Sequence, residues 1–375
     1  MKLLLKIRKI IKNDLKLMLE KGLIRHMRRL EYIKYKDQRR INIYDTINLT
    51  TEQKRKIDEL YVRNYGERIP YIWHQHFTAF TGNFDEKYFP ELLYIPEFEH
   101  FMNRNKAAVD FLADKNALPI IAKAAGIETP KTIVSNTNGI LRNGDNEIID
   151  MKEANKILNE GETTYFIKPS IDSDSGRGCM LVDNIERELH ISDIIYKLGK
   201  NFVVQERLVC SESIRLLNKS SVNTFRVMTY ILDENIYVAP AIMRIGQNSS
   251  FLDNAHAGGM FIAVSSDGTL HEKAFTEFRN VFTKHPDSKV VFNNYKINNF
   301  DKVINAAKRI HAMVPQLGVV NWDFTINQQE EAVLIEANTI GGSIWLFEMA
   351  WGCGCFGDNT ERVLQLIKNK KEQLS

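Results

Sequence analysis

The sequence predicts an α+β protein with a helical N-terminal extension, on three observations. A basic stretch with helical apolar spacing opens the chain. A run of strand, Gly/Ser loop, strand, helix and strand occupies about 45 residues in its middle. Near the C-terminus, NWDFTINQQEEAVLIEAN (321–338) reads as a hairpin, and each of its strands carries an acid. The 375 residues, 44% hydrophobic and 26% charged, have the composition of an ordinary globular protein with room for two or three domains.

Charge is unevenly spread. Residues 1–40 hold fourteen Lys/Arg against Asp14, Glu20, Glu31 and Asp37, a net +10, so with +3 overall the remainder carries about −7. Leu4, Ile7, Ile11, Leu15 and Met18 recur at three- and four-residue steps among lysines. Two readings stand: a helix docked on its own domain, or an interfacial helix drawn to anionic lipid. Nucleic acid is not expected, because no nucleic-acid motif accompanies the charge. Four scattered cysteines (Cys179, Cys210, Cys353, Cys355) point to a reducing compartment and give no zinc spacing. No apolar run reaches the length of a membrane span, and the lysine-interrupted N-terminus does not read as a signal peptide. The expected location is the cytoplasm, with peripheral attachment at the inner membrane face if the lipid reading holds.

A second helix is expected from Thr50 to Tyr65, capped by Thr50 or Thr51 with Gln53 or Glu52 in support. The aromatic stretch IPYIWHQHFTAFTG that follows reads as loop, with His74 and His76 a structural pair. Residues 107–125 read as one helix, stopped by Gly126 and Pro130. Helix 152–160 leads to the strand TTYFIKP, the loop SIDSDSGRG, the strand CMLV, the helix ISDIIYKL and the strand NFVVQERL, a small α/β lobe. Strands SVNTFRVMTYIL, IYVAPAIMRIG and GGMFIAV, a helix over 299–313, the hairpin and two helical stretches complete the chain.

A four-residue loop, Gln328 to Glu331, pairs Asn327 with Ala332 and sets Asp323 opposite Glu336. Their Cβ atoms would be roughly 5 Å apart, where two bare carboxylates repel by about 3 kcal/mol at an effective dielectric near 20. Asn321, Thr325 and Asn338 share that face, while Trp322, Phe324, Ile335 and Ala337 face the core. A divalent cation offsets the repulsion, and oxygen ligands from Asp, Glu and Asn suit Mg²⁺. The alternative is a solvated hairpin with incidental acids, since a change of loop length flips the register.

In FIKPSIDSDSGRG (166–178), Lys168 ends a strand beside a loop of small residues whose backbone N–H groups can approach phosphate oxygens. With LADKNALPIIAKAAGIETPKT (112–132), FVVQERL (202–208), SVNTFRVMTY (221–230), APAIMRIG and DNAHAGGMF (239–261), and NWDFTI…LIEANTIGGS (321–343), it resembles the ATP-grasp superfamily. The similarity is greatest to the sugar-transfer-associated ATP-grasp proteins of surface-polysaccharide biosynthesis. Six motifs in the family's order cover about 240 residues.

The resemblance implies the ATP-grasp fold, two α+β lobes clamping ATP, with Mg²⁺. It divides the chain into the extension (1–100), the first part of the module (101–165), a lid lobe (166–210) and a large lobe with the metal site and C-terminal helices (211–375). Lys115 and Lys168 would hold the α- and β-phosphates under a loop including Ser173, Ser175, Gly176, Arg177 and Gly178. Gln205, standing where many relatives carry an acid, and the backbone of Glu206 and Leu208 would read adenine, and Glu212 the ribose. Asp323, Glu336 and Asn338 match the family's metal ligands. Arg226 and Arg244 would meet the γ-phosphate or an acyl phosphate, the alternative being ion pairs with Asp or Glu. His256 would position the second substrate or make a structural hydrogen bond.

The family's chemistry is carboxylate–amine ligation through an acyl phosphate, with backbone N–H groups near Gly341 and Gly342 available to an oxyanion. The expected substrates are an amino acid and a sugar, either a uronic acid or an aminosugar, free or lipid-linked. Two other classes fit the same motifs: a phosphotransferase on this fold, or a nucleotide-binding accessory protein of a glycosyltransferase assembly.

Overall fold

The computed structural model describes residues 2–160, 163–172, 176–183 and 188–374, with side chains from residue 15 onward except at residue 257. The chain forms two units, residues 1–104 with 340–375, and residues 105–339. The C-terminal helices, expected with the large lobe, thus cluster with the N-terminal extension.

The first unit is helical. Helix α1 spans Lys2–Lys34. The helix Thr51–Asn64 starts at a capping box in which Thr50 and Gln53 exchange side-chain and backbone hydrogen bonds. The aromatic segment expected as loop is the helix Ile72–Thr81, closed by Gly82 in the left-handed region. Burial explains the difference: Trp73, His74, His76, Phe77, Ala79 and Phe80 are all inside, and core packing outweighs weak aromatic helix propensity. His74 Nε2 meets the Glu86 carbonyl at 3.1 Å, whereas neither ring nitrogen of His76 has a hydrogen-bond partner among the described residues. Burial pushes the two imidazoles down to about 4 and about 3, so both are neutral at pH 7. No helix among the described residues is long and apolar enough to cross a membrane.

The second unit holds two antiparallel sheets. The smaller contains β1 (Thr132–Thr137), β2 (Ile140–Asn143), β3 (Thr164–Pro169), β4 (Met180–Asp183) and β5 (Asn201–Glu206), in the order β2-β1-β5-β3-β4. Residues 132–143 therefore belong to the lid-lobe sheet rather than to the segment before it, because β5 bonds β1 on one edge and β3 on the other. The helices Met151–Glu160 and Ile191–Leu198 cover it through Ala154, Leu158, Ile191 and Ile194, in a core of their own.

The larger sheet contains β6 (Thr224–Leu232), β7 (Asn235–Val238), β8 (Ile242–Ile245), β9 (Met260–Val264), β10 (Leu270–Phe275), β11 (Val281–Phe282), β12 (Val319–Ile326) and β13 (Ala332–Asn338). Its path is β11-β10-β9-β8-β6-β12-β13. The stretch expected as one strand over 236–246 is two, β7 and β8, both bonded to β6. Pro240 stands in the gap between them, where a residue without an N–H interrupts the ladder. The helix Phe300–Met313 buries Val303, Ala307 and Ile310 against the core that also holds Phe225, Trp322 and Phe324.

Candidate active site

The larger sheet brings the predicted acids together. β12 and β13 set Asp323 opposite Glu336 and Asn321 opposite Asn338. The route to this register differs from the expected four-residue loop. Ile326, not Asn327, pairs with Ala332, and continuing that register would set Asp323 against Ile335. A bulge between the Phe324–Leu334 and Asp323–Glu336 pairs restores the alignment. It also moves Leu334, fully buried, into the core position expected for Ile335, which is only half-buried.

On the other edge of β12, β6 places Arg226 opposite Asp323, and β8 places Arg244 opposite Thr224. Arg226 donates from Nε to Asp323 Oδ1 at 2.9 Å and from Nη2 to Oδ2 at 2.8 Å. Arg244 Nη2 reaches the same Oδ2 at 3.0 Å, and its Nε and Nη2 donate to Thr224 Oγ1 at 3.1 and 2.7 Å. Asp253 Oδ1 lies 3.7 Å from Arg244, and Asp253 Oδ2 accepts from the Thr224 backbone N–H. The anion that both arginines meet is thus a protein carboxylate, not the open phosphate position expected for them. A buried guanidinium takes the nearest carboxylate, and Asp323 is 1% exposed. Nη1 of each arginine has no hydrogen-bond partner among the described residues.

Lys115 does not lie in a continuous helix. The chain forms two, Lys106–Ala113 and Leu118–Ala124, separated at Asp114, which is extended. Pro119 in the first turn of the second helix suits a restart there. The break frees the Lys115 backbone N–H to donate to the Ser170 carbonyl at 2.9 Å, tying this segment to the end of β3. Lys115 Nζ then meets Glu336 Oε1 at 2.9 Å.

Lys168, near the end of β3, is 5% exposed, and its ammonium lies 5.7 Å from the centre of the Phe166 ring. Burial, and next the charge of Lys115, push its pKa down from 10.5 to about 8. Holding it charged at neutral pH therefore costs about 3 kcal/mol. No carboxylate among the described residues is within ion-pair distance of it. Two residues on, the buried Ser170 Oγ lacks a partner among the described residues. Two buried lysines and an orphaned hydroxyl at one strand end make a setting that an anion would relieve.

Of the expected covering loop, Ser173 and Ser175 lie outside the described residues. Gly176 and Gly178 flank the exposed Arg177, both at φ +77°. A Cβ at Gly176 would come within 2.7 Å of Leu252, so this turn needs glycine for space as well as conformation. At the expected adenine strand, Gln205 is buried and donates to the Pro130 carbonyl at 3.4 Å. Glu206 pairs with Lys131 at 2.7 Å and its N–H donates to the Lys131 carbonyl. The Leu208 N–H has no backbone partner among the described residues. Glu212 is exposed at the start of the short helix Glu212–Arg215.

His256 sits in a single turn, Ala255–Ala257, capped by Asn254. Its Nδ1 is 2.8 Å from Glu277 Oε2, a dyad that fixes the ring, and its imidazole is 48% exposed. In the other unit, the Gly341 and Gly342 N–H groups donate to the Glu99 carboxylate at 2.6 and 2.9 Å. They are engaged, so the oxyanion role expected for them does not hold in this structure. Asp253, Thr224 and Glu277 enter the site without having been expected there. DNAHAGG contains the first, and Thr224 shares the Arg226 face, but Glu277 is 21 residues from its partner and carries no local signal.

Hard oxygen ligands are available for a magnesium ion. Asn338 donates from Nδ2 to the Asn321 carbonyl and to Asp323, which turns its Oδ1 away from both. That oxygen, the Glu336 carboxylate (30% exposed) and Asp323 share one strand face. No group of three or more His, Cys, Asp or Glu that could hold a metal occurs among the described residues. Two carboxylates and an amide leave most positions to water and phosphate, which is how Mg²⁺ is commonly held.

An antiparallel lid-type sheet, a large antiparallel sheet with paired acids, and buried lysines at the end of a lid strand define an ATP-grasp module. The chain belongs to the sugar-transfer associated ATP-grasp family, whose model matches residues 95–363. No curated protein matches it. Among solved structures it is similar to the VanG D-Ala:D-Ser ligase from Enterococcus faecalis, with 13% identity over 69% of this chain and 61% of that one and a TM-score of 0.42. D-alanyl-alanine synthetase A from Vibrio cholerae gives 13% identity, 70% and 65% coverage and 0.43. Carboxyaminoimidazole ribonucleotide synthase from Aspergillus clavatus, complexed with ATP, gives 12%, 63% and 47%, and 0.39. This chain spans less than two thirds of each of these proteins.

Proposed function

We propose that this protein is an ATP-dependent carboxylate–amine ligase that works through an acyl phosphate. It would join an amino acid to a sugar, as a uronic acid carboxylate with an amine or an aminosugar with a carboxylate, in capsule or O-antigen biosynthesis. The observation that carries the reading is the meeting of Lys115 with Glu336 at 2.9 Å, which joins the lysine pair to the acid–amide face of the hairpin.

In this reading Lys115 and Lys168 neutralise the α- and β-phosphates, and the Leu208 N–H takes an adenine nitrogen. Asp323, Glu336 and Asn338 would hold Mg²⁺, which supplies charge neutralisation at the phosphate oxygens when bound. The Nη1 groups of Arg226 and Arg244 are available to the transferring phosphoryl group, while Asp323 and Thr224 fix their planes. A carboxylate oxygen of the first substrate bonds to the γ-phosphorus as the bond to ADP breaks. The amine then bonds to the acyl carbon, inorganic phosphate leaves, and the amine proton passes to His256 Nε2.

Peripheral attachment at an anionic membrane face, with a lipid-linked acceptor, belongs to the same reading because of the +10 charge of residues 1–40. The test is ADP release across candidate sugars and amino acids, with hydroxylamine as a substitute amine. An acyl phosphate yields a hydroxamate, so ADP release with hydroxamate from one carboxylate supports the ligase. Phosphate retained on a hydroxyl would replace it with a phosphotransferase.

A further inference from the structure

Among the described residues of helix α1, one side is docked on its unit and the other carries exposed apolar side chains. At 100° per residue, Leu15, Met18, Leu19, Leu23, Leu30 and Ile33 fall within an arc of about 140°. All six are exposed, Met18 to 69% and Leu19 to 66%. The opposite side is the docked one. Ile24 is only 8% exposed, Arg28 donates to the buried Glu97 at 2.8 Å, and Glu20 accepts from Arg104 at 2.5 Å. Of the two expectations, a docked helix or an interfacial one, the docked helix is present, with its other side exposed.

Basic residues flank that stripe on both sides. Lys16 and Lys34 lie along one margin and Arg25 along the other, while His26 and Arg29 fall inside the arc among the apolar side chains, all exposed. Of the two acids of α1 with described side chains, Glu20 pairs with Arg104 and His100 away from the stripe, and Glu31 pairs with Lys34, so Lys16, Arg25 and Arg29 carry the positive charge of this face. The outer face is therefore largely apolar, interrupted by His26 and Arg29, and cationic at its margins. A second copy of the chain laid against it would bring these cations together. An anionic lipid surface is complementary on both counts, with acyl chains for the leucines and headgroup phosphates for the flanks.

We propose that the outer face of α1, centred on Leu19 and Leu23, is the surface by which this protein lies on anionic membrane, which deepens the membrane part of the proposed function. The docked face holds the helix to its unit, so attachment would hold that helical unit, not a loose arm, at the bilayer.

The full chain is sedimented with vesicles of phosphatidylglycerol and phosphatidylcholine, and with vesicles of phosphatidylcholine alone. Wild type should bind the mixed vesicles, bind pure phosphatidylcholine at least tenfold more weakly, and lose binding as salt rises. Leu19→Glu with Leu23→Glu, and separately Lys16→Gln with Arg25→Gln and Arg29→Gln, should each weaken binding at least tenfold. Unchanged circular-dichroism melts and unchanged affinity for a non-hydrolysable ATP analogue would show that the fold and nucleotide site are intact, so a failure here is separate from a failure of the ligase reading. Equal binding to both vesicles, or variants that sediment as wild type does, would overturn the proposal. A wild-type dimer in ultracentrifugation without lipid that Leu19→Glu converts to monomer would overturn it in favour of self-association.

Discussion

Asp323 and Arg226 face each other across β12 and β6 and meet in a two-point fork, with distances of 2.9 and 2.8 Å. Burial works against ionisation of Asp323, but Arg226 and then Arg244 outweigh it and hold the carboxyl below its usual range. Because the folded pKa lies below the unfolded one, the stabilisation is present above the ordinary aspartate pKa and is lost as pH falls through the lowered value. Asp323→Asn leaves the buried Arg226 guanidinium without its paired anion and Arg244 with only Asp253, 3.7 Å away. Breaking a buried pair in this way costs about 3–5 kcal/mol. Urea unfolding at pH 7 checks it; a shift near zero would mean that the fork is solvated and contributes little.

Glu336 should behave differently, although it pairs with Asp323 in the ladder. It is 30% exposed, and its partner Lys115 lies next to a second lysine. The neighbouring cations remove the carboxylate–carboxylate repulsion expected from the hairpin alone, so Glu336→Gln brings no gain in stability. A loss of about 1 kcal/mol or less is expected, together with a steep rise in the Mg²⁺ concentration needed for ADP release. A melting temperature and a magnesium titration on the same variant separate the two effects. Collapse of the fold without any change in magnesium dependence would make Glu336 structural.

Lys168 gives the pH dependence. Its folded pKa, about 8, lies below the 10.5 of the free side chain. Between these values the unfolded chain holds more protons, so the lysine's cost to stability is full below about pH 8 and fades as pH rises toward 10.5. Lys168→Met should therefore raise the melting temperature of the apo protein at pH 7, with the advantage shrinking at high pH. Affinity for a non-hydrolysable ATP analogue should fall in wild type as pH rises through about 8, and should be weak and flat in Lys168→Met. Calorimetry across pH 6.5–9.5 checks both statements; parallel curves would remove Lys168 from the phosphate site.

His256 and Glu277 form a dyad at 2.8 Å, with His256 three residues beyond Asp253. If His256 takes the amine proton, His256→Gln should slow amide formation by about 10²-fold or more and leave ATP affinity unchanged. Hydroxylamine, largely unprotonated at neutral pH, should react at nearly the wild-type rate in the variant. Glu277→Gln should show the same split to a lesser degree. Equal slowing with both nucleophiles would place His256 in the phosphoryl-transfer step or in the fold.

Local pattern made part of this legible in the sequence. Period-two alternation identified β6 and β12, and matching acids at hairpin spacing identified the Asp323–Glu336 pair even though the loop was one residue longer than expected. The bulge that corrects it leaves no mark in composition: Leu334 and Ile335 are equally apolar, and only packing decides which goes inside. The split before Leu118 was hidden because both halves keep helical spacing, and the Lys115 N–H finds its acceptor 55 residues away. Segment 72–81 looks like loop in the sequence but is helix, because local propensity is weak there and burial decides. That both arginines meet Asp323 depends on three strands pairing in register, which spacing along one strand cannot reveal.

The central claim is that a substrate carboxylate is phosphorylated and then loses that phosphate to an amine. A carboxylate substrate labelled with ¹⁸O in both oxygens tests this directly, because the oxygen that attacks the γ-phosphorus leaves with the phosphate. Mass spectrometry of the inorganic phosphate from one turnover should find one ¹⁸O atom in each ion, with the other retained in the amide. Unlabelled phosphate, or a stable phosphorylated product with no phosphate released, would contradict the account.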